Sequence, residues 1–149
     1  MSIREQIAVY LLAMLKGATV ANGYAIGFGD NAKRAERSFN DCDLPACSLW
    51  LGNEDADPAH GISTQTMVVD VEAHAAVNSD TVDVTANELL ADLRVALETY
   101  HSDLNNLIES INYTSSEPTY PNDGGKTISV RVTYLIQYTT ARGNPSANH

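Results

Sequence analysis

The sequence is short of cysteine, of basic residues and of long apolar runs. Two cysteines, Cys42 and Cys47, in 149 residues cannot form the disulfide framework of a small secreted domain. No apolar segment approaches the ~20 residues that a membrane-spanning helix needs. Nine Lys and Arg residues against 19 Asp and Glu residues give a net charge of −10. This charge argues against proteins that bind nucleic acid through its phosphates and against proteins that bind an anionic membrane surface.

The chain has the composition of one folded domain. Its apolar fraction of 44% is ordinary for a globular protein, and its length suits a single hydrophobic core. Arg4 and the apolar residues 7–15 superficially resemble a signal peptide, but Glu5 and Gln6 stand where that peptide has basic residues. We therefore expect a cytoplasmic domain that makes no membrane contact.

The N-terminus predicts a helix. Ser2-Ile3-Arg4-Glu5 has the pattern of a capping box, and apolar residues then recur at helical spacing. Gly17 after Lys16 is typical of a helix end. The first helix is therefore expected over residues 2–16.

The following segment alternates between apolar and polar stretches. Residues 24–28 predict a short strand, and residues 46–51 predict a buried strand. The charged residues 29–43 predict a long loop, and residues 52–61 predict a second, acidic loop. The acidic side chains of this second loop are Glu54, Asp55 and Asp57.

The C-terminal half begins with a strand and a helix. Residues 64–75 alternate between apolar and polar side chains, which predicts a strand with one wet face. A capping box at residues 85–88 then precedes an apolar stripe that includes Tyr100, so a second helix is expected to end near His101.

The remaining segments are less regular. Residues 104–113 are ambiguous and suggest a helical turn that runs into a strand, and residues 120–125 form a strong turn cluster. Residues 128–138 alternate most clearly of all and predict a strand, whereas residues 141–149 predict a flexible tail. Together these elements predict an α+β fold with a mostly antiparallel sheet of about five strands packed by two main helices. We expect one domain over residues 1–140.

No segment predicts a catalytic or metal site. The Gly-Lys-Thr at residues 125–127 lacks the earlier glycine of a phosphate-binding loop and precedes a strand rather than a helix. Cys42 and Cys47 have no second Cys or His pair with which to bind zinc. Asp70 and His74 share a strand face, which acid–base chemistry could use but which is also typical of a solvated strand. We therefore predict no enzyme activity, no metal and no cofactor.

The order of features resembles the tail terminator (tail completion) proteins of long-tailed bacteriophages. The resemblance begins with the N-terminal helix and continues through Asp43-Leu44-Pro45-Ala46-Cys47-Ser48-Leu49-Trp50, which is similar to that family's buried-strand stretch. It also includes the strand at residues 67–73, the helix at residues 86–93 and the long last strand with its Asn144-Pro145 tail.

The resemblance implies a structural virion protein without catalysis or a cofactor. Six copies would form a homohexameric ring on the head-proximal end of the tail tube, after assembly in the host cytoplasm. The ring would end polymerisation of the tail tube protein and join the tail to the head-completion (connector) protein. DNA would pass through the ring without specific binding.

Two sets of residues are candidates for this role. We expect Arg34, Arg37 and Arg131 to meet acidic residues of neighbouring subunits. The channel, where a repeated negative charge would repel DNA, is expected to be lined by Glu54, Asp55 and Asp57, or else by the acidic residues of the loop at residues 29–43. Two alternatives stay open, namely another head–tail connector such as a neck or stopper protein, and a small-molecule-binding α+β domain that uses His74 and Asp70.

Overall fold

A computed structural model describes residues 1–78, 80–122 and 125–148. The helices are α1 (Ile3–Lys16), α2 (Val82–Glu98) and α3 (Ser102–Leu107). The strands are β1 (Ala32–Arg34), β2 (Ala46–Ala59), β3 (Ile62–Ala76), β4 (Ser110–Thr119), β5 (Thr127–Ala141) and β6 (Asn144–Asn148). The α+β class predicted from the sequence is confirmed. The centre of the turn predicted at residues 120–125 and the last residue of the predicted tail lie outside the described residues.

The sheet is antiparallel apart from one short edge strand. Its order is β1-β2-β3-β5-β4, and only β1 runs parallel to its neighbour, β2. β6 pairs with Thr140 and Ala141 of β5. Because β3 already pairs with one side of these two residues, β6 lies on the other side, which is also the side of β4. The segment assigned to a flexible tail therefore includes a short strand.

The helices cover one face of the sheet. The predicted alternation of β3 is confirmed: Met67, Val69, Val71 and Ala73 are buried against the helices. β5 contributes the largest fully buried side chain, Tyr134. The opposite face, here called the open face, carries the alternate residues of the central strands, which include Trp50, Asp70, Glu72, His74, Arg131 and Thr133. None of the helices in the described part of the chain is long and apolar enough to cross a membrane.

Helix α1 forms as predicted, with one difference at its start. The Ser2 hydroxyl accepts the Glu5 amide at 3.1 Å, and the Gly17 amide donates to carbonyls of the last turn. The Glu5 carboxylate does not complete the capping box, because it binds the Arg34 guanidinium at 2.6 and 3.1 Å. The Glu5 carboxylate therefore joins α1 to β1 instead of capping the helix.

The strand predicted at residues 24–28 does not form. The Asp92 carboxylate, buried on α2, accepts the amides of Ala25 and Ile26 at 3.2 and 2.8 Å. A helix side chain thus satisfies the backbone donors that a neighbouring strand would otherwise bind. The chain then makes a 3₁₀ turn over Phe28–Asn31, which buries the Phe28 ring in the core.

The two predicted loops also differ from the structure. The first, residues 29–43, contains β1, which pairs in parallel with residues 47–49. The prediction of an acidic loop at residues 52–61 is wrong, because β2 continues to Ala59 and turns into β3 through His60 and Gly61. Both turn residues have positive φ, 49° and 82°, as a type I′ hairpin turn requires.

The second helix has different ends from those predicted. It begins at Val82 after Thr81 rather than at the capping box of residues 85–88, and it ends at Glu98. Tyr100 is 73% exposed and takes no part in the buried stripe. The ambiguous segment at residues 104–113 contains the end of α3 and the start of β4, which confirms the prediction of a helical turn that runs into a strand.

Candidate functional site

A concave pocket of about 300 Å³ lies on the open face. Its lining comes from the segment after β1 and from the three longest strands of the sheet. We call it the arginine pocket, and its lining residues are Glu36, Arg37, Trp50, Glu72, His74 and Arg131. Two of the three arginines predicted at a subunit interface therefore meet in one place.

Hydrogen bonds to β2 hold the segment that carries Arg37. The Ala35 amide donates to the Leu49 carbonyl at 2.9 Å, and the Glu36 amide donates to the buried Ser48 hydroxyl at 2.8 Å. Further along, the Phe39 ring lies 5.6 Å from the His74 ring. The segment is thereby fixed across the open face, with Arg37 beside the pocket.

The charges in the pocket are only partly compensated. Glu72 lies 3.5 Å from Arg131 Nε and 3.5 Å from His74 Nε2. Burial lowers the pKa of His74, and the Glu72 carboxylate opposes that shift, so the imidazole is neutral at pH 7. Arg37 is exposed and makes no ion pair with another residue of the described ranges. The pocket therefore offers one unpaired guanidinium and one that is weakly paired.

A row of side chains in the pocket superficially resembles a hydrolase triad. The Ser129 hydroxyl lies 2.7 Å from His74 Nδ1, and His74 Nε2 faces Glu72. Ser129 could not be predicted as a neighbour of His74, because only the strand register places the two residues opposite each other. Asp70, the predicted acid–base partner of His74, accepts the Thr133 hydroxyl at 2.6 Å instead.

The backbone around Ser129 does not suit a nucleophile. Ser129 lies inside β5, opposite His74 of β3 on one side and Thr119 of β4 on the other. Acyl transfer needs a nucleophile on an exposed turn and free amides aimed at the oxyanion, whereas both edges of β5 are engaged in strand ladders here. The row is therefore best interpreted as polar pairing across strands.

We expect a fluorophosphonate probe to leave Ser129 unmodified, because Ser129 lies inside β5 between two paired strands rather than on an exposed turn. Intact-protein mass spectrometry measures the modification directly. Ser129→Ala serves as the control, and a mass increase that is lost in both Ser129→Ala and His74→Ala would contradict this prediction.

The acidic half of β2 forms an exposed edge of the sheet. β1 pairs only with residues 47–49, so residues 52–59 have β3 on one side and no strand of the described chain on the other. We call residues 52–59 the acidic edge. The bulge between Leu51 and Glu54 separates it from the buried part of β2.

The three acids predicted to act together are divided between the two faces of this edge. Glu54 faces the helices, where it accepts the Tyr138 hydroxyl and lies 3.3 Å from Arg4 Nη1. Asp55 and Asp57 lie opposite Thr66 and Thr64 of β3, on the side of the open face. Both aspartates are exposed and form no ion pair within the described chain.

Arg34, the third predicted interface arginine, does not join the arginine pocket. Its guanidinium binds both carboxylate oxygens of Glu5 on α1. This pairing raises the pKa of Arg34 and lowers the pKa of Glu5, chiefly through the hydrogen bond between them. Arg34 therefore has a partner within its own chain.

The cysteines do not form a metal centre. Cys42 is exposed, whereas Cys47 is buried in β2, where burial raises the pKa of its thiol to about 12. Across residues 1–78, 80–122 and 125–148, no group of three or more His, Cys, Asp or Glu side chains could hold a metal ion.

Neither a protein-family model nor a curated protein sequence matches this chain. Its function is therefore inferred from the surfaces described above, chiefly the arginine pocket and the acidic edge.

Proposed function

We propose that this chain is a structural subunit of a bacteriophage tail. Six copies assemble head to tail into a ring at the head-proximal end of the tail tube. The ring ends tube polymerisation and joins the tail to the head-completion proteins. The observation that carries this proposal is the distribution of surfaces on the sheet: helices cover one face, and the uncovered side presents two different charged features.

A head-to-tail ring needs two different patches on each subunit. A two-fold dimer joins the same patch on both copies, whereas a ring joins one patch to another and closes when the rotation between subunits permits. The arginine pocket and the acidic edge differ in residues, shape and charge. This difference supports a ring over a two-fold dimer.

The net charge of the chain suits a channel through which DNA moves. Each subunit carries −10, and a ring repeats that charge around its axis. A strongly negative ring repels the phosphate backbone, so DNA passes without being held. The same properties suit another head–tail connector, such as a neck or stopper protein, and the position in the virion distinguishes these roles.

The arginine pocket also favours a second candidate, a domain that binds a small acidic ligand. Arg37, Arg131 and Trp50 all line the pocket, so it combines charge with aromatic surface. This candidate predicts a monomer or a closed dimer that binds carboxylates. The oligomeric state therefore separates it from the proposed ring.

We expect the purified protein to form six-fold rings with a central channel as its concentration rises. Negative-stain electron microscopy shows the symmetry, and light scattering gives the mass. In the phage that encodes the chain, removal of the gene is expected to give tails of uncontrolled length. A closed dimer at every concentration, together with normal tails after removal of the gene, would contradict the proposed function.

A further inference from the structure

We infer that the acidic edge of one subunit docks in the arginine pocket of the next, with Asp55 and Asp57 facing Arg37 and Arg131. The inference rests on the proposed ring and names the contact that builds it. It also moves these two aspartates from the channel lining, where the sequence placed them, to the boundary between subunits.

The first step is the balance of charges within one chain. Among the described residues, three arginines each form an ion pair with a different glutamate: these are Arg4, Arg34 and Arg94. Arg37 has no such partner, and Arg131 reaches Glu72 only through Nε at 3.5 Å. On the acidic edge, Glu54 forms an ion pair with Arg4, whereas Asp55 and Asp57 form none with a described residue. Arg37 in the pocket and Asp55 and Asp57 on the edge are therefore groups of opposite charge that form no ion pair among the described residues of their own chain.

The second step is that these charges cannot meet within one chain. Arg131 lies opposite Glu72 of β3, and Asp55 lies opposite Thr66 of the same strand. Six residues along a strand separate these positions by roughly 20 Å. The sheet is continuous between them, so these acids and arginines do not meet within one chain, whereas those of two copies can.

The third step is the chemistry of an exposed strand edge. Charged residues, a proline and a bulge all discourage unspecific pairing of such an edge, and residues 52–59 contain Pro58 and several acids next to the bulge. An edge of this kind favours a partner that offers local cationic donors, and Arg37 and Arg131 of the arginine pocket are such donors. Charge complementarity of this kind selects the partner and its orientation.

The pocket also has features that limit the strength of the contact. Trp50 adds aromatic surface, and Trp and Arg are enriched in the cores of interfaces. Glu36 and Glu72 line the same pocket and balance the formal charge of its two arginines, so the attraction depends on direct contact with the guanidinium groups. We therefore expect a weak contact between two free subunits that becomes stable when a closed ring repeats it.

Two charge-reversed variants test the contact. The edge variant is Asp55→Lys with Asp57→Lys, and the pocket variant is Arg37→Glu with Arg131→Glu. Each variant alone places like charges at the contact and is expected to raise the concentration for half-assembly by about tenfold or more. Light scattering and sedimentation measure the assembled mass.

Mixing the two variants is the decisive measurement. The lysines of the edge variant then face the glutamates of the pocket variant, and the native aspartates of the pocket variant face the native arginines of the edge variant. An equimolar mixture is therefore expected to regain rings in which the variants alternate. A ring of six permits this alternation because its number of subunits is even.

A matched control separates the local contact from the overall charge. Asp80→Lys with Glu88→Lys changes the net charge as much as the edge variant does. Both positions are exposed, near or on α2 and away from the open face. This control is expected to assemble like the wild type, and thermal unfolding by circular dichroism checks that every variant is folded.

The outcomes distinguish the inference from the proposed function. If both variants form rings at the same concentration as the wild type, the inferred contact is wrong, whereas the proposed ring function is unaffected. Recovery of a two-subunit species instead of a ring in the mixture would overturn the head-to-tail arrangement. Wild-type protein that forms no ring, free or with tail tubes, would overturn both.

Discussion

Replacement of Tyr134 with alanine is expected to lower the free energy of unfolding by about 3–5 kcal/mol. Tyr134 lies on β5 beneath α2 and is fully buried. Its hydroxyl donates to Glu98 Oε2 at 3.0 Å, and its ring lies edge-on to Tyr113 at 5.7 Å. Truncation would remove these contacts and leave a cavity between sheet and helix. Urea unfolding followed by circular dichroism measures the loss.

Two other variants show which part of Tyr134 matters. Tyr134→Phe keeps the ring and removes one hydrogen bond to a charged acceptor, so we expect a loss of about 1.5–3 kcal/mol. Tyr100→Ala removes a tyrosine that is 73% exposed, and its effect should stay within about 0.5 kcal/mol. Equal losses for Tyr134→Ala and Tyr134→Phe would show that the ring itself contributes little, contrary to the packing described here.

The importance of Tyr134 comes from a cluster at the C-terminal end of α2. Arg94 binds Glu98 at 2.8 and 3.2 Å and lies 4.3 Å from the centre of the Tyr113 ring. Glu98 in turn accepts the Tyr134 hydroxyl. One helix end is thereby joined to β4 and β5, so a change at Tyr134 is expected to weaken the attachment of both strands to α2.

The regular elements of this fold could be predicted because their pattern is local. β3 and β5 alternate between buried and exposed side chains along most of their length, and α1 carries a buried stripe. Each pattern reflects one buried face and one exposed face, and it is visible without knowledge of the partner element. These three elements form most of the core.

The acidic edge could not be predicted in this way because its composition is typical of a loop. Gly52-Asn53-Glu54-Asp55 lacks apolar alternation, since one side of this strand is exposed and the other holds Glu54 against Tyr138. Pairing with β3 determines the strand, and the local residues do not. The available signal was His60-Gly61 directly before an apolar residue, which suits a two-residue hairpin turn.

The segment at residues 24–28 shows a similar dependence on a distant residue. Asp92 on α2 takes up the amides that a strand would have paired, and nothing near residue 25 indicates it. The candidate site depends on tertiary structure in the same way. Arg37 and Arg131 meet because β2, β3 and β5 are neighbours, whereas Arg34 is drawn to Glu5.

The protein is expected to lose stability as the pH rises above about 10. Burial raises the pKa of Tyr134 and of Tyr138 well above the ordinary value for tyrosine. The carboxylates of Glu98 and Glu54 add to these shifts, while Arg94 and Arg4 oppose them. Both hydroxyls therefore stay protonated in the folded protein at a pH where the unfolded chain releases their protons.

The sign and size of this effect follow from the difference in bound protons. Below pH 10 both states hold the two protons, so neither tyrosine makes stability depend on pH. Between pH 10 and the raised pKa values, only the unfolded state ionises. Each tyrosine then lowers the free energy of unfolding by up to about 1.4 kcal/mol per pH unit.

Urea unfolding at a series of pH values from 8 to about 11.5 measures this loss against the wild type. Tyr134→Phe and Tyr138→Phe should each reduce the slope above pH 10 by a similar amount, and the double variant should combine the two reductions; the slope that is left belongs chiefly to Cys47 and Tyr24, whose pKa values burial also raises. A slope that is unchanged in the double variant would assign the alkaline loss to other groups. A reduced slope would show that the folded core excludes both phenolates. Ionisation of either tyrosine would place a negative charge beside the carboxylate that accepts the hydrogen bond from its hydroxyl.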